Sequence, residues 1–492
     1  MSSVKQFPNS FDYQGFNEPV RMQFSIENLP VEGDIPAEID GAFFRAVPDP
    51  AHVPMMSEDT ILSADGMVSR FRIQGNTVDF AIRYVETERY KAERKARRAL
   101  FGAYRNPYTD DPSVAGVDRT VANTTPVWHA GRLLMTKEDG LPYEVDPETL
   151  ETIGRWTFDG ALRSETMTAH VRIDPDTQEM FLFGYEAAGL ATRDVSYAIA
   201  DRDGNLVSEK WFQAPYCAML HDFAITERFA IFPVFPTTAD LDRLKAGGPH
   251  WIHEPDGQCW IGIMPRYGDP SEMRWFKGPV GSSGYHIMNA YDEGNLVHLD
   301  LNVMDTNVFP FIRAASGIDR SLAEMRASLV RWTFDLGAGG DGYTERLIGP
   351  PGDMPRTAAR DQGRPYRVGY YALFDPRIGP PNIHGVVGAG FNALVRIEVG
   401  NGHLDVLPLP HQSVSEPVHI PAKDPDHEGW LAFIVDDHSD MSSSLWIAEA
   451  ERPSAGAIAK VRLPVRLHPQ IHGWWVTADE LQGAMARRKA TA

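Results

Sequence analysis

The stretch RFRIQGNTVDFAIRYV, residues 70–85, decides the fold class. Apolar and polar residues alternate on both sides of Gly75-Asn76, and a Gly-Asn pair between two alternating runs signals antiparallel strands joined by a tight turn. The design recurs in YEVDPETLETIGRW (143–156), HVRIDPDTQEMFLFGY (170–185), YAIADRDGNLVSEKWF (197–212), AYDEGNLVHLDL (290–301) and LVRIEVGNGHLDVLPL (394–409). Each run turns at Gly, Asn or Asp-Pro, so most of the chain is expected to be antiparallel sheet. Helical patterns are few and short, at 86–101, 240–245, 321–331 and 478–488. They do not alternate with strands, which argues against a doubly wound parallel sheet. GAGG at 337–340 and GAGF at 388–391 lack the strand–loop–helix setting of a nucleotide loop and read as loops.

The hairpins spread evenly over 492 residues, with no Pro/Gly/Ser-rich linker to divide them. This distribution favours an all-β fold and a single propeller domain spanning 1–492. Seven blades would take roughly 70 residues each, leaving room for a few short helices and loops to cap one face. No WD or kelch repeat marks the chain as a standard scaffolding propeller.

Charge and cysteine usage narrow the partners. The chain has 47 Lys and Arg against 67 Asp and Glu, a net charge of −20, which opposes binding to nucleic acid. The one basic run, 91–98, lies among Glu86, Glu88 and Glu93 and reads as a solvated helix face. The two cysteines, Cys217 and Cys259, provide neither a disulfide framework nor a thiolate metal site, which fits a reducing compartment. The N-terminal residues lack a basic and apolar signal pattern, and no run approaches the ~18 apolar residues of a membrane span. A cytoplasmic location and no membrane partner are therefore expected.

Sixteen histidines are present without HExxH or HxH, so any metal site must be assembled from distant segments. His170, His221, His286 and His472 lie at or near the starts of apolar strands, with separations of 51, 65 and 186 residues. That is the spacing expected if several blades each direct one residue at a common axis. A single strand histidine is more commonly a hydrogen-bonded core residue, and Cys217, four residues before His221, reads as a small buried hydrophobe.

Nine segments in order give these histidines further meaning: LSADGMVSRFRI (62–73), VANTTPVW (121–128), TKEDGLPYEVDPETLET (136–152), TAHVRIDPDT (168–177), LHDFAITE (220–227), GYHIMNAYDEGN (284–295), MPR (354–356), SVSEPVHIP (413–421) and IHGWWV (471–476). In these segments the chain resembles the carotenoid cleavage oxygenase family of non-haem iron dioxygenases, and within it the bacterial lignostilbene dioxygenases. The resemblance implies a seven-bladed β-propeller with Fe(II) on its axis, held by His170, His221, His286 and His472. It places the carboxylates Glu138, Asp353 and Glu416 behind three of the ligands, where they would fix the imidazole tautomers. Thr124 corresponds to a residue beside an open coordination position, and Tyr104 and Lys137 to the pair that recognises a phenol hydroxyl.

The implied reaction is cleavage of the central C=C bond of a 4-hydroxystilbene with O2, giving two aromatic aldehydes and needing no external reductant. The expected partners are a small phenolic stilbene and O2, and homodimerisation is compatible with the sequence. Some positions depart from the family pattern. Asp353 stands where most members have Glu, which shortens its reach, while Ala64, Leu62 and QIHG at 470–473 alter pocket shape. Three other readings compete: cleavage of carotenoids or apocarotenoids, a retinoid-type isomerohydrolase, and a non-catalytic propeller serving as an interaction platform. The segment 236–255, where a carotenoid enzyme could carry a membrane-docking insertion, carries Asp, Arg and Lys beside Trp251 and Ile252, which favours a soluble aromatic substrate.

Overall fold

In the computed structural model, which describes residues 6–307, 309–318, 327–380 and 382–491, all six quoted stretches are antiparallel hairpins. Their turns use the chemistry the sequence supplies. Gly75 takes a φ of +57°, a region closed to most side chains. In the Asp-Pro turns the aspartate accepts from the backbone ahead of it: Asp146 Oδ1 from Glu148 N and Thr149 N at 2.8 Å, and Asp174 Oδ1 from Asp176 N and Thr177 N at 2.9 Å.

Among the described residues the strands form seven sheets of four to six strands and one of three. In chain order, sheet I begins with Thr125–His129, sheet II with Arg172–Ile173, sheet III with Ala224–Ile225, sheet IV with Ile287–Glu293 and sheet V with Gly352–Arg356. Sheet VI begins with Gln412–Val414 and takes its last strand, Val31–Gly33, from near the N-terminus, paired with Ala457–Arg462. Sheet VII joins the C-terminal strand Gly473–Thr477 to Asp40–Pro48, so both ends of the chain are sewn into shared sheets.

Alternation along each strand sends successive side chains to opposite faces. On Asp40–Pro48, Ala42, Phe44 and Ala46 pack with Trp128 and Leu133 of sheet I, while Phe43 and Val47 pack with Trp430 and Ile434 of sheet VI. The same holds around the molecule: I packs on II, II on III, III on IV, IV on V, V on VI, VI on VII and VII on I, each through its own apolar cluster. The architecture is all-β with few helices.

The first two helices are shorter than the sequence patterns, and the last runs beyond its pattern. The first covers Glu88–Ala96: Thr87 Oγ1 accepts from Tyr90 N, and Arg97, at a φ of +56°, ends the helix well before residue 101. The second, Leu241–Lys245, begins at its Asp240 cap, and the third runs Ala478–Thr491. The pattern at 321–331 is overturned where it is described, because 327–331 belong to the strand Ala327–Asp335, paired with Leu296–Met304; residues 321–326 lie outside the described residues. Nine ladder pairs outweigh local helix propensity there. Trp251 is buried against Tyr185 and His250, and no described helix is long and apolar enough to cross a membrane.

Candidate metal centre and substrate cavity

The edge strands that open the seven sheets bring one set of residues together. Thr124, His170, His221, His286 and His472 each lie just ahead of such a strand, Asp353 lies within one, and Glu416 lies two residues past Gln412–Val414. The four histidines converge, with candidate ligand atoms all within 4.8 Å of one another. His170 Nε2 is 3.1 Å from His221 Nε2, which is 3.3 Å from His286 Nε2.

Three rings are held from behind. His221 Nδ1 donates to Glu138 Oε2 at 2.8 Å, His286 Nδ1 to Asp353 Oδ1 at 2.8 Å and His472 Nδ1 to Glu416 Oε1 at 2.9 Å. A proton on each Nδ1 leaves a lone pair on each Nε2, and these lone pairs face one another. His472 Nε2 is buried with no hydrogen-bond partner. Converging lone pairs repel unless a cation lies between them. Metal–nitrogen bonds of about 2.1 Å would separate neighbouring nitrogens by about 3.0–3.4 Å, so the arrangement fits a four-imidazole metal site.

The carboxylates are themselves fixed. Arg356 donates through Nε to Glu416 Oε1 at 2.8 Å and through Nη2 to Oε2 at 3.1 Å, and Gly473 N also donates to Oε2 at 2.8 Å. Arg105 Nη1 lies 3.8 Å from Glu138 and is anchored by Tyr185 and Glu186. Burial pushes both glutamates up, but His221 and Arg105 hold Glu138 down at about 2, and Arg356 and His472 hold Glu416 at about 2. Asp353 also lies below its ordinary range, since His286 outweighs burial. The shorter Asp353 still reaches its histidine: its strand carries a register shift between Asp353 and Arg356, with Met354 at a φ of +58°, so the backbone supplies the approach. Burial lowers His472 to about 4 and His170 well below the ordinary imidazole value. Among the described residues His170 has no carboxylate partner; its backbone N donates to Thr168 Oγ1 at 2.9 Å.

A cavity of about 860 Å³, counted out to its mouth, adjoins the cluster. Its walls are largely apolar, with Leu62, Met219, Phe309, Val386, Val387 and Phe391 among them, and His221, His286 and His472 also line it. Thr124 lines it too, its Oγ1 donating to Asn123 and its carbonyl accepting from His472 N. Tyr104 and Lys137 enter the same space, with Lys137 Nζ 5.3 Å from the Tyr104 ring centroid. Lys137 is buried, donates to Leu62 O at 3.4 Å and has no carboxylate within ion-pair distance among the described residues. Burial lowers its ammonium pKa, with Asp139 and Glu138 opposing. Tyr104 Oη is buried and no partner reaches it at hydrogen-bond geometry; burial, followed by Glu138, raises its phenol well above the ordinary value against the opposing pull of Arg105, so it remains a donor.

Sequence reading missed Arg105, Arg356, His384 and Gln470. Each is a single polar residue in an unremarkable context. Only Gln470, in the altered QIHG, carried a signal.

Comparison with known proteins bears on this site. Residues 17–477 match the family model described as retinal pigment epithelial membrane protein. The chain is 39% identical to a lignostilbene-α,β-dioxygenase isozyme III of Sphingomonas paucimobilis, over 97% of this chain and 99% of that protein. It is 40% identical to an isoeugenol monooxygenase of Pseudomonas putida, over 93% and 96% of the respective chains. The crystal structure of Pseudomonas brassicacearum lignostilbene dioxygenase superposes with a TM-score of 0.92 at 38% identity, covering 96% of this chain and all of that one.

Proposed function

The chain belongs to the carotenoid cleavage oxygenase family of metal-dependent dioxygenases, and from that premise we propose that it cleaves the central C=C bond of 4-hydroxystilbenes with O2 to give two aromatic aldehydes. His170, His221, His286 and His472 are the ligands of Fe(II) in this reading, oriented by Glu138, Asp353 and Glu416. The seven interfaces between consecutive sheets support one seven-bladed propeller over 1–492 with this site on its axis.

One observation carries the substrate assignment: a buried ammonium without a counter-ion and a buried phenol without a partner enter the cavity that the histidines line. A 4-hydroxyphenyl group completes both. Lys137 stabilises the phenolate and Tyr104 Oη donates to the same oxygen, fixing the ring. The negative charge of the phenolate held by the ammonium pushes electron density through the ring into the alkene. The apolar walls exclude water from that charge. Bound Fe(II) would supply the redox chemistry that lets O2 react with an alkene. Thr124 narrows the space beside His472. Both oxygen atoms end in carbonyl groups, so no reductant is consumed.

The test compares one stilbene carrying a 4-hydroxyl with its 4-methoxyl counterpart, on protein of measured iron content. Aldehydes from the hydroxylated compound alone are expected, and equal turnover of the two would refute the phenolate role. A second reading, supported by the Pseudomonas putida relative, is cleavage of a 4-hydroxyphenylpropene of the isoeugenol type, which presents the same phenol to Lys137 and Tyr104. Isoeugenol assayed beside the hydroxystilbene ranks the two by kcat/KM.

A further inference from the structure

Carboxylates orient three of the four imidazoles, but among the described residues none reaches His170. Two residues beyond it, Arg172 extends from sheet II to sheet III. Its Nη2 donates to Asp222 Oδ1 at 2.6 Å and to Oδ2 at 2.7 Å, and its Nε donates to Phe223 O at 2.7 Å. Asp222 directly follows His221, and its carboxylate has two further donors: Oδ1 accepts from Phe223 N at 2.7 Å and Oδ2 from Ile287 N at 2.9 Å. Ile287 directly follows His286 and opens sheet IV.

One buried carboxylate therefore ties together three sheets, at positions one or two residues from three of the four histidines. Among the described residues none of its hydrogen-bond partners is an imidazole, so it acts on the backbones that carry the rings and not on the rings. Charge-assisted bonds between buried groups are short and costly to break, which holds the three strand starts at fixed separations. At the opposite side of the cluster Glu416 does both jobs, holding the His472 ring and the Gly473 backbone together. Asp300 and Arg331 make an equally short buried pair, Nε to Oδ1 at 2.7 Å and Nη2 to Oδ2 at 2.6 Å, but that pair joins two neighbouring strands inside sheet IV. It provides an internal control for what such a pair contributes to the fold alone.

We propose that Arg172 and Asp222 are positioning residues of the metal centre, a brace that sets the spacing of His170, His221 and His286 through their backbones. The brace supplies for His170 the constraint that carboxylates supply directly to the other three rings. This rests on the four-imidazole metal site proposed above and is independent of the substrate.

Cobalt(II) tests the brace without turnover, since its visible absorption follows the geometry of its ligands. The full-length protein is loaded with cobalt(II) and titrated with a competing chelator. Asp222→Asn keeps the side-chain volume but removes the charge, and turns an amide N–H toward partners that can only donate. Its cobalt affinity should fall roughly tenfold, with a changed absorption spectrum. Arg172→Lys keeps the charge but cannot bond Asp222 and Phe223 O together as the guanidinium does, and should lose affinity about fivefold. Asp300→Asn removes a charge from an equally buried pair and should leave affinity within about twofold of the wild type, with the spectrum unchanged. Wild-type affinity and spectrum in either brace variant, or an equal loss in Asp300→Asn, would overturn the brace; if Asp222→Asn fails to fold, Arg172→Lys decides. A wild type that takes up no cobalt would overturn the metal site and the brace with it. The expected losses in a protein that cleaves no hydroxystilbene would support the brace and count against the proposed reaction alone.

Discussion

The histidine cluster and the Lys137–Tyr104 pair border one cavity yet are built on opposite principles. Around the cluster nearly every polar group is answered: three imidazoles by carboxylates, and two of those carboxylates by arginines or backbone. Around Lys137 and Tyr104 almost nothing is, with one long bond to Leu62 O and a bare Oη. The first arrangement fixes geometry before any ligand arrives. The second leaves buried polar groups unsatisfied, at a cost of about 1–3 kcal/mol each, which a substrate oxygen can recover on binding.

This contrast can be broken most severely at a histidine. His286→Ala should reduce metal affinity by on the order of 100-fold or more and abolish turnover with it, and full metal occupancy by elemental analysis would show that the cluster is not the binding site. Next, Lys137→Met should lower kcat/KM for a 4-hydroxystilbene by roughly 100-fold while the metal content stays at the wild-type level. Normal turnover in this variant would remove the ammonium from the reaction.

Outer partners should matter less. Glu416→Gln retains shape but loses the charge facing Arg356 and His472, so metal affinity in a chelator competition should drop roughly 10–100-fold and the melting temperature should fall. The smallest effect has the opposite sign. In ligand-free protein, Lys137→Met and Tyr104→Phe should each stabilise by about 1 kcal/mol, because each removes an unsatisfied buried group. For Lys137 the gain depends on pH. Its folded pKa lies below the unfolded 10.5, so the wild type recovers stability as pH rises through the folded value toward 10.5. The advantage of the variant should be full below the folded value and shrink as pH rises from there toward 10.5 in thermal melts; an advantage independent of pH would show that charge burial is not its cause.

Much of the fold was legible because hairpin turns are local. Gly75 and the Asp146 and Asp174 turns are specified by residues within a few positions of one another. Ring closure was less visible, since pairing Val31–Gly33 with Ala457–Arg462 joins segments with no local signal. The segment around 327–331 misled for the same reason, its conformation being set by a partner strand at 296–304. The histidines stood out by context, whereas the carboxylates entered only through family resemblance, and their pairing with particular rings needed coordinates. Arg105, Arg356 and His384 were invisible because a buried polar residue looks like an exposed one until its partners are known.

The strand Gly473–Thr477 follows His472 directly and lies against Asp40–Pro48 near the start of the chain. On the ribosome, therefore, three of the four imidazoles emerge long before the fourth. The last is delivered by the strand that docks on Asp40–Pro48, so a complete cluster exists only once Gly473–Thr477 has emerged and paired. A metal held by all four imidazoles would act as a clasp across that pairing, and withdrawing it should loosen the molecule first at that seam.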